Sequence, residues 1–311
     1  MKIWIVMLCC FVAVKSFAQG CSDAGVCTMG SLRSDALPAK GMRDSTARQL
    51  KHSLVITPAI SFGEQNTVNF TPTFDATFQL HKRFHANVKT GFNLTTGDLG
   101  LAYGASDLFV SGIVYFIRSD SMNFSFIAGG KFALDKPNFE IENQELPLSY
   151  QSSVGTQDIL FGLSFNYKSW FAGAGFQYPL TNSTSTFSHS DYDSSSAVLN
   201  YFESNRLERK PDVVLRFEKK FYIRKIRLSL GAGIIWIYHL GNDTQLNNAG
   251  ERVEIAGSKG TTLNITGNIS YKISERWSCN FGVGFPVIVR DVRPDGLTRS
   301  LVLLPSVTYS F

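Results

Sequence analysis

Ser300-Leu-Val-Leu-Leu-Pro-Ser-Val-Thr-Tyr-Ser-Phe311 is the stretch that decides the fold. Leu301, Leu303, Pro305, Val307, Tyr309 and Phe311 are apolar. They alternate with the small polar residues Ser300, Ser306, Thr308 and Ser310, with Val302 and Leu304 in the middle. A period of two predicts a strand with one greasy and one wet face.

From Leu54 onward the same period recurs and predicts twelve strands, at 53–63, 66–80, 83–94, 106–118, 121–134, 156–168, 169–180, 211–221, 224–240, 260–274, 276–290 and 299–311. In the second, Val68, Phe70, Pro72, Phe74, Ala76, Phe78 and Leu80 oppose Thr67, Asn69, Thr71, Thr73, Asp75, Thr77 and Gln79. Lys219 is the single charge on the apolar face of the twelve. Arg or Lys at a bilayer midplane costs about 2–4 kcal/mol, so lipid clears that face of charge. The joins alternate too: tight ones near 81–83, 118–121, 167–169, 222–225 and 273–276 are separated by long ones at 95–105, 135–155, 181–210, 241–259 and 291–298. Aromatics gather beside the tight turns, among them Phe84, Phe116, Trp170, Phe221, Trp277 and Tyr309, as an interfacial girdle does. The predicted fold is all-β, a transmembrane antiparallel β-barrel of about twelve strands. A terminal strand ending on Phe311 resembles those of bacterial outer-membrane barrels, and that resemblance implies recognition by the barrel-insertion machinery.

The first eighteen residues fit this address. Lys2, the apolar run Ile3 to Val14 and Ser16-Phe17-Ala18 form a signal peptide cut before Gln19. Removing Lys2 and Lys15 takes the formal charge from +5 to +3, too mild for a nucleic-acid partner. Residues 19–52 do not alternate and form a periplasmic tether or a plug, leaving 53–311 for the barrel. Cys21 and Cys27 are spaced for a small disulfide loop, with lipidation of Cys21 as the rival reading. Cys279 is a small hydrophobe on a lipid-facing position.

The expected partners are outer-membrane lipid and a small-molecule permeant. Lumen-lining candidates follow from parity: Asp75, His85, Lys89, Asp107, Lys131, Asp158, Arg216, Glu218, Arg227, Lys272 and Arg290. Their alternative role is mutual salt-bridging. Acids and bases are mixed, so no single-sign selectivity ring is predicted. Many inward positions are glycine, which leaves room for a permeant or an infolded loop. The segment His189-Ser-Asp191-Tyr-Asp193 has metal-ligand chemistry but is more simply a solvated loop, so neither metal nor cofactor is expected. No nucleophile elbow or phosphate-binding loop is present, and no histidine lies on the lipid-facing wall, so no enzyme is expected. A non-transporting surface protein with partner-binding loops is the alternative to a channel.

Two further stretches carry a family resemblance. Tyr103-Gly-Ala-Ser-Asp-Leu-Phe-Val110 is similar to the Gly-x-x-Asp-Leu motif of outer-membrane proteins from meta-pathway phenol degradation. The run from Leu146 to Leu163, with its Pro147, Gln151 and Gly155-Thr-Gln-Asp158, resembles that family's second signature. Ser106 stands where the family prefers Gly. The resemblance implies a channel related to fatty-acid-type transporters of hydrophobic or aromatic compounds. It also implies that Asp107 and Asp158 order a loop or line an entrance.

Overall fold

A computed structural model describes residues 51–311, apart from 120, 194, 297 and 298. The expected signal peptide, the tether or plug up to residue 50, and the Cys21–Cys27 pairing lie outside the described residues. The strands are β1 (His52–Gly63), β2 (Val68–His81), β3 (Phe84–Gly97), β4 (Gly100–Ala105), β5 (Leu108–Arg118), β6 (Met122–Phe132), β7 (Glu140–Ile141), β8 (Gln144–Glu145), β9 (Asp158–Tyr167), β10 (Trp170–Pro179), β11 (Asp212–Ile223), β12 (Leu228–His239), β13 (Thr244–Leu246), β14 (Arg252–Glu254), β15 (Gly260–Lys272), β16 (Trp277–Ile288) and β17 (Arg299–Ser310).

Twelve of them close a ring in the order β1-β2-β3-β5-β6-β9-β10-β11-β12-β15-β16-β17, each antiparallel to its neighbours. The last strand meets the first with Leu54 opposite Tyr309 and Ile56 opposite Val307, so the wall has no open edge there. The remaining large-sheet strand, β4, extends the wall. The expected loop at 95–105 is instead a hairpin, with β3 running on to Gly97 and β4 returning beside it, Leu94 opposite Tyr103. Leu94, Leu101 and Tyr103 continue the spacing of apolar residues, so the ladder has no reason to stop at 94.

Phe70, Phe74, Phe78, Phe161, Leu163, Phe165, Phe217, Ile234, Ile265, Phe281 and Phe285 are large, apolar and exposed on the outer wall. At about 25 cal/mol per Å² this belt would be costly in water, and lipid removes that cost. Lys219, the exception in the sequence, sits 4.1 Å from the Trp170 ring centroid at the short-turn rim, where a cation can snorkel. Trp277 and Tyr309, 4.7 Å apart, belong to the same rim.

The inner wall is not uniformly polar. Phe109, Ile113, Tyr115, Ile127, Leu160, Val214, Ile235 and Ile237 form one buried apolar cluster over β5, β6, β9, β11 and β12. Glycines bring the wall close to itself: a Cβ on Gly233 would stand 2.5 Å from the Phe217 carbonyl oxygen. Only glycine tolerates that approach.

Candidate functional site: the loop-covered mouth

Parity puts Lys131 and Asp158 opposite each other on β6 and β9 at the long-loop end. Lys131 Nζ lies 3.1 Å from Asp158 Oδ2 and 3.5 Å from Asp107 Oδ2, and donates to Thr156 Oγ1 at 2.9 Å. Gln177 Nε2 donates to the same Asp158 oxygen, and Ser153 Oγ donates to Asp107 Oδ1 at 2.5 Å. One cation thus holds two carboxylates, Asp158 at the start of β9 and Asp107 just before β5. The hydroxyl of Ser153 pulls the 133–157 loop onto them.

A second cluster begins with another cross-strand pair, Asp212 on β11 opposite His239 on β12. His239 Nδ1 is 2.7 Å from Asp212 Oδ1, and Nε2 is 2.8 Å from Asp243 Oδ1 in the 240–259 loop. Arg209 reaches Asp212 at 3.0 Å and Asp295 at 3.2 Å, while Arg290 reaches Asp295 at 2.6 Å and the Ser258 carbonyl at 3.0 Å. Burial by itself would raise the Asp295 carboxyl, but Arg290 and Arg209 hold it well below the usual carboxylate range. Burial likewise opposes the charge on Arg209, and Asp295 and Asp212 more than restore it. Arg293 donates to Glu64 at 2.8 Å, tying the 289–298 loop to the β1–β2 turn. Burial lowers its guanidinium's hold on the proton and Glu64 offsets this in part.

Over these charges lies a cap made by the long loops. Ala102, Leu146, Tyr150, Phe187, Val198 and Tyr201 pack together, and Leu148, Val154 and Leu207 form a smaller cluster beside them. Tyr150 is its pin: its hydroxyl accepts from Leu99 N at 3.1 Å and from Tyr201 Oη at 3.4 Å. Glu145 staples the 133–157 loop to the 180–211 loop by accepting from Ser185 Oγ at 2.8 Å and Thr186 N at 2.9 Å. Tyr192 donates to the Glu145 carbonyl; burial first, then the Glu145 charge, pushes its phenol up to about 12. His189 Nε2 is 2.7 Å from the Tyr201 carbonyl, so that ring too is engaged within the cap.

Beneath residues 148–154 a cavity of about 90 Å³ remains on the inner side of β2, β3 and β5. Thr71, Thr73, Asn93, Lys89, Asp107 and Phe109 are among its walls. At about 10–15 Å³ per water it holds several waters, well short of the roughly 300–1,000 Å³ of a drug-sized pocket.

The other predicted residues are scattered. Asp75 accepts from Asn87 Nδ2 at 2.7 Å and faces Lys89 across the ladder, and Lys89 Nζ lies 5.6 Å from the Phe109 ring centroid. Arg216 pairs with Glu218 at 3.1 Å, and Asn268 Nδ2 donates to Glu218 at 2.8 Å. His85 Nε2 is 3.0 Å from Arg118 Nη1 near the short-turn rim. Lys272 pairs with Glu275 at 2.8 Å on that rim. Arg227 closes the exposed β11–β12 turn in the left-handed conformation, φ 52°, outside either strand. Arg209, Asp212, His239, Asp243 and Asp295 were not among the sequence candidates. Parity does turn His239 inward, and the same count would have added Asp212; both stand at strand ends. Asp243, Asp295 and Arg209 belong to loops, where no period marks direction.

No family model matches the chain, and no curated protein matches it by sequence. Among solved structures, an outer membrane channel from Pseudomonas putida F1 superposes with a TM-score of 0.55 at 11% identity, covering 86% of this chain and 99% of that one. The NanC porin gives 0.48 at 9% identity over 83% and 100% of the two chains. A Pseudomonas aeruginosa FadL homologue gives 0.44 at 11% identity over 95% and 100%. The first likeness is one of fold. Together with the apolar belt and the closed ring, it makes this chain a twelve-stranded barrel of the bacterial outer membrane.

Proposed function

We propose that the chain is a passive outer-membrane channel for small molecules, with the 133–157 loop as its constriction. The observation that carries this is the loop's position: it is folded inward onto Asp107 through Ser153, over a polar cavity inside a closed wall. Elsewhere inside the wall, several buried polar atoms, including Asp158 Oδ1, Gln177 Oε1 and both amide atoms of Asn264, have no protein hydrogen-bond partner. Such groups suit water or a polar guest. The resemblance in the sequence favours hydrophobic or aromatic permeants, and Phe109 offers the cavity an aromatic wall among hydroxyls, amides and charges. The permeant class we infer is therefore a small aromatic compound carrying hydroxyl or carboxyl groups. Purified protein in planar bilayers, and cells taking up phenol or benzoate, test this. Replacing residues 147–154 by a Gly-Ser linker of equal length should raise conductance and uptake. If neither form passes ions or solutes, the channel reading fails.

A second reading is a surface protein with a shut lumen, favoured by the packed aromatic cap and the paired charges beneath it. It predicts that deleting 181–210 abolishes binding to a partner while leaving permeability unchanged.

A further inference from the structure

We propose that His239 is a proton-dependent lock holding three of the mouth's loops together. Both ring nitrogens meet carboxylate oxygens, Asp212 Oδ1 at 2.7 Å and Asp243 Oδ1 at 2.8 Å, and the ring is 1% exposed. An ionised carboxylate only accepts, so both nitrogens must donate, and only the imidazolium does that. A neutral ring would turn a lone pair toward one of the two acids.

The charges around the ring agree. Asp212 faces it from β11, Asp243 from the 240–259 loop, Arg209 from the 180–211 loop, and Arg290 and Asp295 from the 289–298 loop. Beside them Arg293 is balanced by Glu64 at 2.8 Å. Three carboxylates then stand against two guanidinium groups, and the imidazolium brings the set to neutrality. Loss of its proton would leave a net negative charge among side chains that are all less than a tenth exposed.

Release should occur on the Asp243 side. Asp212 belongs to a barrel strand, whereas Asp243 sits in a loop and can turn to water. Asp243 is also the junction: its Oδ1 accepts from Lys210 N at 2.8 Å, its own N donates to Ser258 Oγ at 2.7 Å, and Arg290 Nη1 lies 3.8 Å from its Oδ2. Freeing it loosens the 180–211, 240–259 and 289–298 loops together. The locked form is present while the ring is protonated and is lost as rising pH removes that proton.

Any effect on conduction rests on the channel reading, but the lock does not, and the experiment separates them. Hydrogen exchange of segments 240–259 and 289–298, corrected for intrinsic rates, is followed on the full protein in lipid at about pH 6 and about pH 10. The barrel is checked by its heat-sensitive mobility on gels. Wild type should exchange about tenfold faster at the alkaline pH, and His239→Gln should be fast at both. Asp243→Asn, whose amide can donate to a neutral Nε2, should stay slow at both and shows that the cluster tolerates substitution. Protection in wild type that is indifferent to pH, or retained in His239→Gln, overturns the lock. Bilayer conductance is measured in parallel. Loop release without current at either pH sinks the channel and leaves the lock, while current without loop release does the reverse.

Discussion

At the loop-covered mouth Lys131, Asp158, Arg209, Asp212, Asp243 and Asp295 are each less than a tenth exposed. At the short-turn rim Lys272 and Glu275 pair in the open, their side chains 17% and 48% exposed. The same residue types thus play two parts. In the mouth each of these six charges is held by a partner from another strand or loop, so removing one strands its neighbours out of water. At the rim, water replaces a lost partner, and the pair contributes about 0–1 kcal/mol. The difference lies in the cover. Tyr150, Phe187 and Tyr201 roof the mouth, and among the described residues no comparable cluster roofs the turns.

The largest effect should come from Lys131→Met, which leaves Asp107 and Asp158 facing each other without their cation. A loss of about 3–5 kcal/mol is expected, read as earlier thermal unfolding in detergent, and an unchanged transition would break the contrast. Next is Tyr150→Ala, which removes the pin of the cap at a cost of about 3 kcal/mol. Protease cleavage within 133–157 and 181–210 should accelerate while the barrel strands stay protected. A smaller change follows acidification. Because Asp295 is held below its ordinary range, its contribution is complete above about pH 4 and fades as pH falls through its folded value. Exchange at 289–298 should rise in strong acid, and equal exchange at the rim turns would show that the mouth is not special. Lys272→Ala should be the smallest, under about 1 kcal/mol by denaturant titration.

Alternation alone located the wall. Phe70, Phe74 and Phe78 against Asn69, Thr73 and Asp75 declare two faces without reference to anything distant, because a strand's period is local. Charge placement then chose lipid over water for the apolar face. Asp107, Lys131 and Asp158 were legible as inward by the same count, and the family-like motifs drew attention to two of them. Their convergence on one ammonium was not, since it depends on the register of β5, β6 and β9. The 95–105 stretch reads as a loop for a related reason: Gly97, Asp98 and Gly100 signal a turn, but not that the ladder resumes on both sides of it.

What the residues determined by themselves is the barrel, its strand number and its outer surface, since these follow from local periodicity and from the cost of charge in lipid. Only the tertiary structure decided how the mouth is filled. Asp243, Arg209 and Asp295 lie in loops without a period, and their meeting around His239 depends on where the closed ring places the ends of its strands.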